Sequence, residues 1–237
     1  MERMARGCKL LRINQPDSEE LLAGVMNAVS ASNIPSAYAV VKIVVTAGRG
    51  LRGYGRGDAT TPSVLYGAFV AAPASPRLYS EGVQTLLCDT RLASHSAFAG
   101  IKTLNRLEQV LARSEVVATD AFEGLTMDAD DNIICGTMSN VFFVRNSRLT
   151  TAAVEHSGVA GVMRRHVIDV MSKQGVETEF HYTSSTDLDD VDEVFLSNSQ
   201  FGVLPVRRCG NNSWAVGDVT QRVMAVLADS GISECRL

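Results

Sequence analysis

The sequence predicts an α+β protein built from two domains. Three observations support this. Helical and strand-like periodicities are mixed, without the regular alternation of a doubly wound sheet. The segment Ala72-Pro-Ala-Ser-Pro76 has the composition of a linker and divides the chain into residues 1–74 and 75–237. Finally, 237 residues with 46% hydrophobic and 20% charged side chains supply enough apolar material for a packed core, which excludes disorder, collagen-like repeats and a disulfide-stapled miniprotein.

The elements follow in order. Residues 2–11 carry basic side chains and no N-cap, so they read as the tail of a helix. Asp17-Ser-Glu-Glu20 opens the next helix, with acidic groups in the first turn favoured by the helix dipole, and Leu21, Leu22, Val25, Met26 and Val29 follow at helical spacing. Residues 38–46 are β-branched and strand-like, and a Gly- and Arg-rich loop over 48–58 leads to a second apolar run at 64–72. Past the linker, residues 83–88 read as a strand, and 104–117 as a helix with Leu104, Leu107, Val110 and Leu111 on one face. Residues 123–127 and 141–145 read as strands around a hairpin with a polar turn at 128–132. A helix over 161–173 stops at Gly175, and two short strands at 194–196 and 203–206 precede a closing helix over 218–228.

Charge narrows the partners. The formal charge of −4 gives no basic excess to drive phosphate-backbone binding, so nucleic acid is not an expected partner. Apolar runs are too short to span a membrane, and the charged start Met1-Glu-Arg-Met-Ala-Arg6 lacks a signal peptide's apolar stretch, so a cytoplasmic location is expected. The five cysteines are scattered with no C-x-x-C pair and the four histidines show no ligand spacing, so reduced thiols and no metal site are expected.

Several segments could carry chemistry. Lys102 follows an apolar tripeptide just before a helix; partial desolvation there would lower its pKa and make the amine a nucleophile, though on its own it reads as a surface lysine. Ser157-Gly-Val-Ala-Gly-Val-Met-Arg164 leads through glycines into a helix whose first N–H groups suit a phosphate. Ser197, Asn198 and Ser199 form a polar cluster between apolar runs. The 48–58 loop lacks the G-K-[ST] ending of a nucleotide P-loop, but Arg49, Arg52 and Arg56 could clamp carboxylates.

Taken together, these segments resemble the fold-type IV pyridoxal-phosphate enzymes, of the aminotransferase class IV kind, and within them the 4-amino-4-deoxychorismate lyases. The resemblance rests on Gly100-Ile-Lys-Thr-Leu-Asn-Arg-Leu-Glu-Gln-Val-Leu111, Gly136-Thr-Met-Ser-Asn-Val-Phe142, Gly158-Val-Ala-Gly-Val-Met-Arg164 and Asn198-Ser-Gln-Phe-Gly-Val-Leu-Pro-Val206, all in register. It implies a homodimer that binds pyridoxal 5'-phosphate and converts aminodeoxychorismate to 4-aminobenzoate and pyruvate. Lys102 would carry the cofactor covalently and act as the catalytic base. Arg3, Ser199 and the backbone N–H groups of Val162 and Met163 would hold its phosphate, with Ser139 and Asn140 in the adjoining cofactor-binding turn. Arg52 and Tyr54 would meet the substrate's carboxylates.

The sequence departs from that pattern at the position that partners the pyridine nitrogen, where Cys135 stands in place of a glutamate. A thiol is a weak donor without the carboxylate's charge, so the ring is expected to be a poorer electron sink. Thr103, Ser96 and Phe122 are lesser departures. The family's opening strands lie before the point where this sequence begins, so the small domain is expected to be incomplete. Elimination driven by aromatisation tolerates a weaker electron sink better than transamination does. The alternatives are a class IV aminotransferase or an inactive homologue.

Overall fold

A computed structural model of the chain describes residues 1–35, 39–50, 52–56, 60–71, 73–94 and 97–236. Tyr38, Asp58, Ala72 and Ser96 lie outside the described residues. The chain divides into two compact units, Met1–Pro73 and Ala74–Leu237.

In the first unit, α1 (Glu2–Leu10) and α2 (Ser18–Ser32) precede a hairpin of β1 (Ala39–Thr46) and β2 (Ser63–Val70). Asp17 caps α2 by accepting from the N–H groups of Glu19 and Glu20 at 2.8 and 3.0 Å. The strands pair antiparallel from Ala39 opposite Val70 to Thr46 opposite Ser63. Gly24, in the middle of α2, is required by close approach, because a Cβ there would fall 2.2 Å from the Tyr66 ring of β2. At the C-terminal end of α1, Arg56 donates from Nη1 to the Leu11 carbonyl at 2.5 Å. That places Arg56 in a helix-capping bond; the sequence allowed it a carboxylate-clamping role.

The second unit begins with α3 (Pro76–Glu81), whose proline sits in the first turn, where its missing N–H costs nothing. Then come β3 (Val83–Arg91), α4 (Leu107–Val117), β4 (Glu123–Met127), β5 (Asn132–Gly136), β6 (Asn140–Arg145) and β7 (Arg148–Thr151). They are followed by α5 (Val162–Lys173), β8 (Thr178–Phe180), β9 (Thr183–Ser184), β10 (Glu193–Asn198), β11 (Gly202–Cys209), β12 (Asn212–Ser213) and α6 (Asp218–Asp229). These ten strands form one sheet in the order β8-β7-β6-β10-β11-β3-β4-β5-β9, with β12 pairing β11. The β11–β3, β3–β4 and β7–β8 pairs are parallel and the others antiparallel, so this mixed sheet is not doubly wound. Its core includes Phe142 and Phe195, stacked at 4.8 Å across β6 and β10, with Val167 and Met171 of α5 and Leu227 of α6.

Two sequence expectations are corrected here. The helix predicted over 104–117 starts at Leu107, and Leu104, Leu107, Val110 and Leu111 are 62, 72, 58 and 53% exposed. The side that packs on the sheet is carried instead by Ala112 and Val116, with Cys88 of β3. Small residues let the helix lie close to the strand, a signal weaker than four large apolar side chains. The predicted hairpin partner of 123–127 was 141–145, but β4 pairs β5, with Leu125 opposite Gly136. Asp128 tightens that turn by accepting from the N–H groups of Asp130 and Asn132, both at 3.0 Å.

Candidate active site

Lys102 lies in an irregular segment between β3 and α4 and is exposed. Upstream, Gly100 forms a parallel bridge with Val159: its N–H donates to the Gly158 carbonyl at 3.1 Å, and its carbonyl accepts from Ala160 N–H at 3.0 Å. Gly100 at φ +74 and Gly158 at φ +81 occupy left-handed conformations that this close backbone approach demands. The bridge therefore ties the lysine segment to the loop that leads into α5.

That loop ends at Gly161, the N-cap of α5, which offers no side-chain cap. The N–H groups of the first turn, including those of Val162 and Met163, are left for an anion. Val162 is 47% exposed and Met163 buried. Asn140 secures the loop by donating from Nδ2 to the Val159 carbonyl at 2.8 Å, and its side chain lies so close that a Cβ on Gly161 would clash with Oδ1 at 2.1 Å. Directly opposite Asn140 in the β6–β10 register stands Ser197, whose buried hydroxyl has no hydrogen-bond partner among the described residues. Two residues on, Ser199 is exposed in the β10–β11 turn, which Asn198 shapes by accepting from the N–H groups of Gln200 and Phe201 at 2.9 and 3.0 Å. An unpartnered hydroxyl beside an open helix N-terminus fits the phosphate of pyridoxal phosphate.

The other end differs. Cys135 is 5% exposed in β5, with Sγ 3.5 Å from the Thr126 hydroxyl and close to Gly158. Burial pushes its thiol up to about 11, against the opposing influence of the Thr126 contact and of the Arg106 and Lys102 charges. A neutral thiol thus stands within electrostatic reach of Lys102, at the position where the resemblance calls for a carboxylate to partner the ring nitrogen.

The turn between Cys135 and Asn140 is organised by a residue that sequence reasoning missed. Glu123, fully buried at the start of β4, accepts from the N–H groups of Gly124, Thr137 and Met138 at 2.9, 3.1 and 3.2 Å. It also accepts from the Thr137 hydroxyl and, at 2.9 Å, from that of Ser139, with Arg113 Nη1 3.7 Å away. Ser139 therefore serves the turn through Glu123. The available signal was a carboxylate at the first position of a strand-like run, Glu123 to Met127.

In the first unit, Arg3 is half-buried on α1, where burial pulls its guanidinium below its usual range. Arg52 and Tyr54 are exposed in the loop between β1 and β2. A cavity of about 350 Å³ opens within the second unit, lined by Phe98, Thr103, Arg106, Glu108, Gln109 and Gly158 among others. Among the described residues, no cluster of three His, Cys, Asp or Glu side chains could hold a metal ion.

A sequence profile of the family described as Amino-transferase class IV matches residues 1–209. An aminodeoxychorismate lyase of Vibrio harveyi is 36% identical over 207 residues, 87% of this chain and 74% of that protein. The crystal structure of 4-amino-4-deoxychorismate lyase from Pseudomonas aeruginosa superimposes with a TM-score of 0.89 at 35% identity, covering 98% of this chain and 84% of that one. An aminotransferase from Brucella abortus, bound to the cofactor pyridoxal phosphate, matches with a TM-score of 0.77 at 16% identity, over 96% of this chain and 81% of that one. At that identity it shares the fold alone.

Proposed function

The chain belongs to the amino-transferase class IV family, and from that premise we propose that it is a pyridoxal-phosphate-dependent aminodeoxychorismate lyase, a carbon–oxygen lyase of folate biosynthesis. It converts 4-amino-4-deoxychorismate to 4-aminobenzoate and pyruvate. The observation that carries the reading is the backbone bridge joining the Lys102 segment to the open N-terminus of α5. It puts a reactive amine and an anion site on one rigid connection, in a chain more than a third identical to a lyase of that activity.

The phosphate would be held by the N–H groups of Val162 and Met163 and the Ser197 and Ser199 hydroxyls, and the resemblance adds Arg3 to that role. Arg52 and Tyr54 would meet the substrate's carboxylates, as the resemblance implies. Asn140, Ser139 and Glu123 hold the lead-in loop and the adjacent turn in place. When bound, pyridoxal phosphate supplies an electron-accepting ring conjugated with the substrate's amino nitrogen. Lys102 Nζ takes the proton from the carbon that bears this nitrogen. The enolpyruvyl group leaves as pyruvate while the substrate ring becomes aromatic, so the products contain every atom of the substrate and no second substrate is consumed.

Cys135 weighs for elimination over transamination, because a neutral thiol gives the pyridine nitrogen little support. The protein works as a homodimer in the cytoplasm, with residues 1–74 forming the small domain and 75–237 the cofactor domain. No helix among the described residues is long and apolar enough to cross a membrane.

The test is product release from aminodeoxychorismate with pyridoxal phosphate present and no keto acid. Equal amounts of pyruvate and 4-aminobenzoate are expected from the wild type, and a loss of at least a thousandfold in Lys102→Ala. A requirement for a keto-acid acceptor, or no turnover at all, would overturn the proposal.

A further inference from the structure

Lys102 is anchored on two sides, upstream by backbone bonds and downstream by a backbone bond together with one side chain. Upstream, Gly100 is bridged to Val159 and the Ile101 N–H donates to the Phe98 carbonyl at 3.1 Å. Downstream, residues 102–106 belong to neither a helix nor a strand, and α4 starts only at Leu107. There the Thr103 N–H donates to the Ile101 carbonyl at 3.2 Å, and one side chain braces that turn. Arg106 donates from Nη2 to the Ile101 carbonyl and from Nε to the Thr103 carbonyl at 3.2 Å. These two carbonyls belong to the residues on either side of Lys102.

The Ile101 carbonyl lies in the peptide plane before the Lys102 Cα, and the Thr103 N–H that donates to it lies in the plane after, so holding this carbonyl, and the Thr103 carbonyl one peptide further on, restricts the direction in which the side chain leaves the backbone. The guanidinium suits the task because its planar fork reaches two acceptors at once, whereas an ammonium is a single point donor on a flexible stem. Among the described residues, Arg106 donates to these two backbone carbonyls, with Cys135 and Glu108 as its electrostatic neighbours. The residue is half-buried, lines the cavity, and acts with Lys102 on the Cys135 thiol. Its placement thus serves the lysine segment.

We propose that Arg106 is a positioning residue for Lys102, its guanidinium clamping the carbonyls of Ile101 and Thr103 so that the lysine amine is presented to the cofactor and substrate. The proposal rests on the assignment of Lys102 as the reactive amine. Without the clamp, the lysine samples several directions, and the fraction of time it spends aligned falls.

The experiment follows the absorbance band near the visible edge that forms when pyridoxal phosphate is mixed with wild type, R106K and R106A, alongside thermal unfolding of each. The two variants are expected to form the band at least tenfold more slowly, with kcat reduced by a similar factor and KM for aminodeoxychorismate within about threefold. Methylguanidinium is expected to restore part of the rate in R106A, a response that a merely structural role would not show. R106K replaces one half-buried cation by another, so it keeps the test open should R106A fold poorly. Band formation within twofold of wild type in both variants, or losses that follow thermal stability without methylguanidinium rescue, would overturn the clamp and leave the lyase reading standing. A wild type that forms no band would overturn both.

Discussion

The unit Met1–Pro73 buries Gly7, Cys8 and Leu21 among its described residues, while Leu65, Phe69 and Val70 of its hairpin remain more than half exposed. The unit Ala74–Leu237 instead lays a ten-stranded sheet against α5 and α6 and removes Phe142, Phe143, Phe195 and Leu204 from water entirely or nearly so. Both units have helices and β-branched strands, so local signals do not separate them. What separates them is closure: a two-stranded hairpin with one helix across it cannot surround its apolar side chains, whereas a wide sheet can. Global stability accordingly resides in the second unit, which also carries the lysine and the anion site.

The comparison can be broken most forcefully in the core. Phe142→Ala removes the ring stacked on Phe195 and is expected to cost about 3–5 kcal/mol in urea unfolding. Leu21→Ala, the matching deletion in the first unit, should shift that transition far less; an equal shift would refute the assignment of stability to the second unit. Next comes Glu123→Ala, which strands the buried donors of Gly124, Thr137, Met138 and Ser139 and is expected to cost roughly 3 kcal/mol, with Glu123→Gln costing less. A smaller loss for the alanine than for the glutamine would contradict the bonding described.

A pH dependence sharpens the same contrast. Burial pushes Cys135 from its ordinary 9.0 up to about 11 and Cys88 up to about 12, so the folded state holds these protons more tightly than the unfolded chain. Their contribution is intact below pH 9.0 and is lost as the pH rises toward 11. Chemical denaturation from pH 8 to about 11 should therefore show falling stability, with a shallower fall in Cys135→Ser. Least disruptive is Asp17→Ala, which removes the cap of α2 at a cost of about 1 kcal/mol. Faster hydrogen exchange in α2, with the global urea midpoint unchanged, is the expected result.

How much of this was legible in the sequence varied with the range of the interaction. The cap at Asp17, the helix after Gly161 and the stop before Gly175 are local, and each appears in the structure where the sequence put it. Strand pairing is not local: β4 could be read against 141–145 as easily as against β5, because hydrophobic runs do not name their partners. The exposed Leu104 and Leu107 show the same gap, since spacing defines a helix face but not what covers it. Buried carboxylates were the hardest to read. Glu123 and Glu193 look like surface charges, yet one holds a turn and the other accepts from Val219 and Thr220 at 3.1 and 2.7 Å to close the start of α6. Lys102 became prominent only through the surrounding motifs, and Arg106 only once its two acceptor carbonyls could be seen.

The central claim is that Lys102 is the amine that holds the cofactor. Reduction with borohydride after adding pyridoxal phosphate, followed by peptide mapping, tests it directly, because the only other lysines are Lys9, Lys42 and Lys173. A single pyridoxyl addition on the peptide containing Lys102 is the result this account predicts. Label spread over Lys9, Lys42 and Lys173, or absent from Lys102, would contradict it.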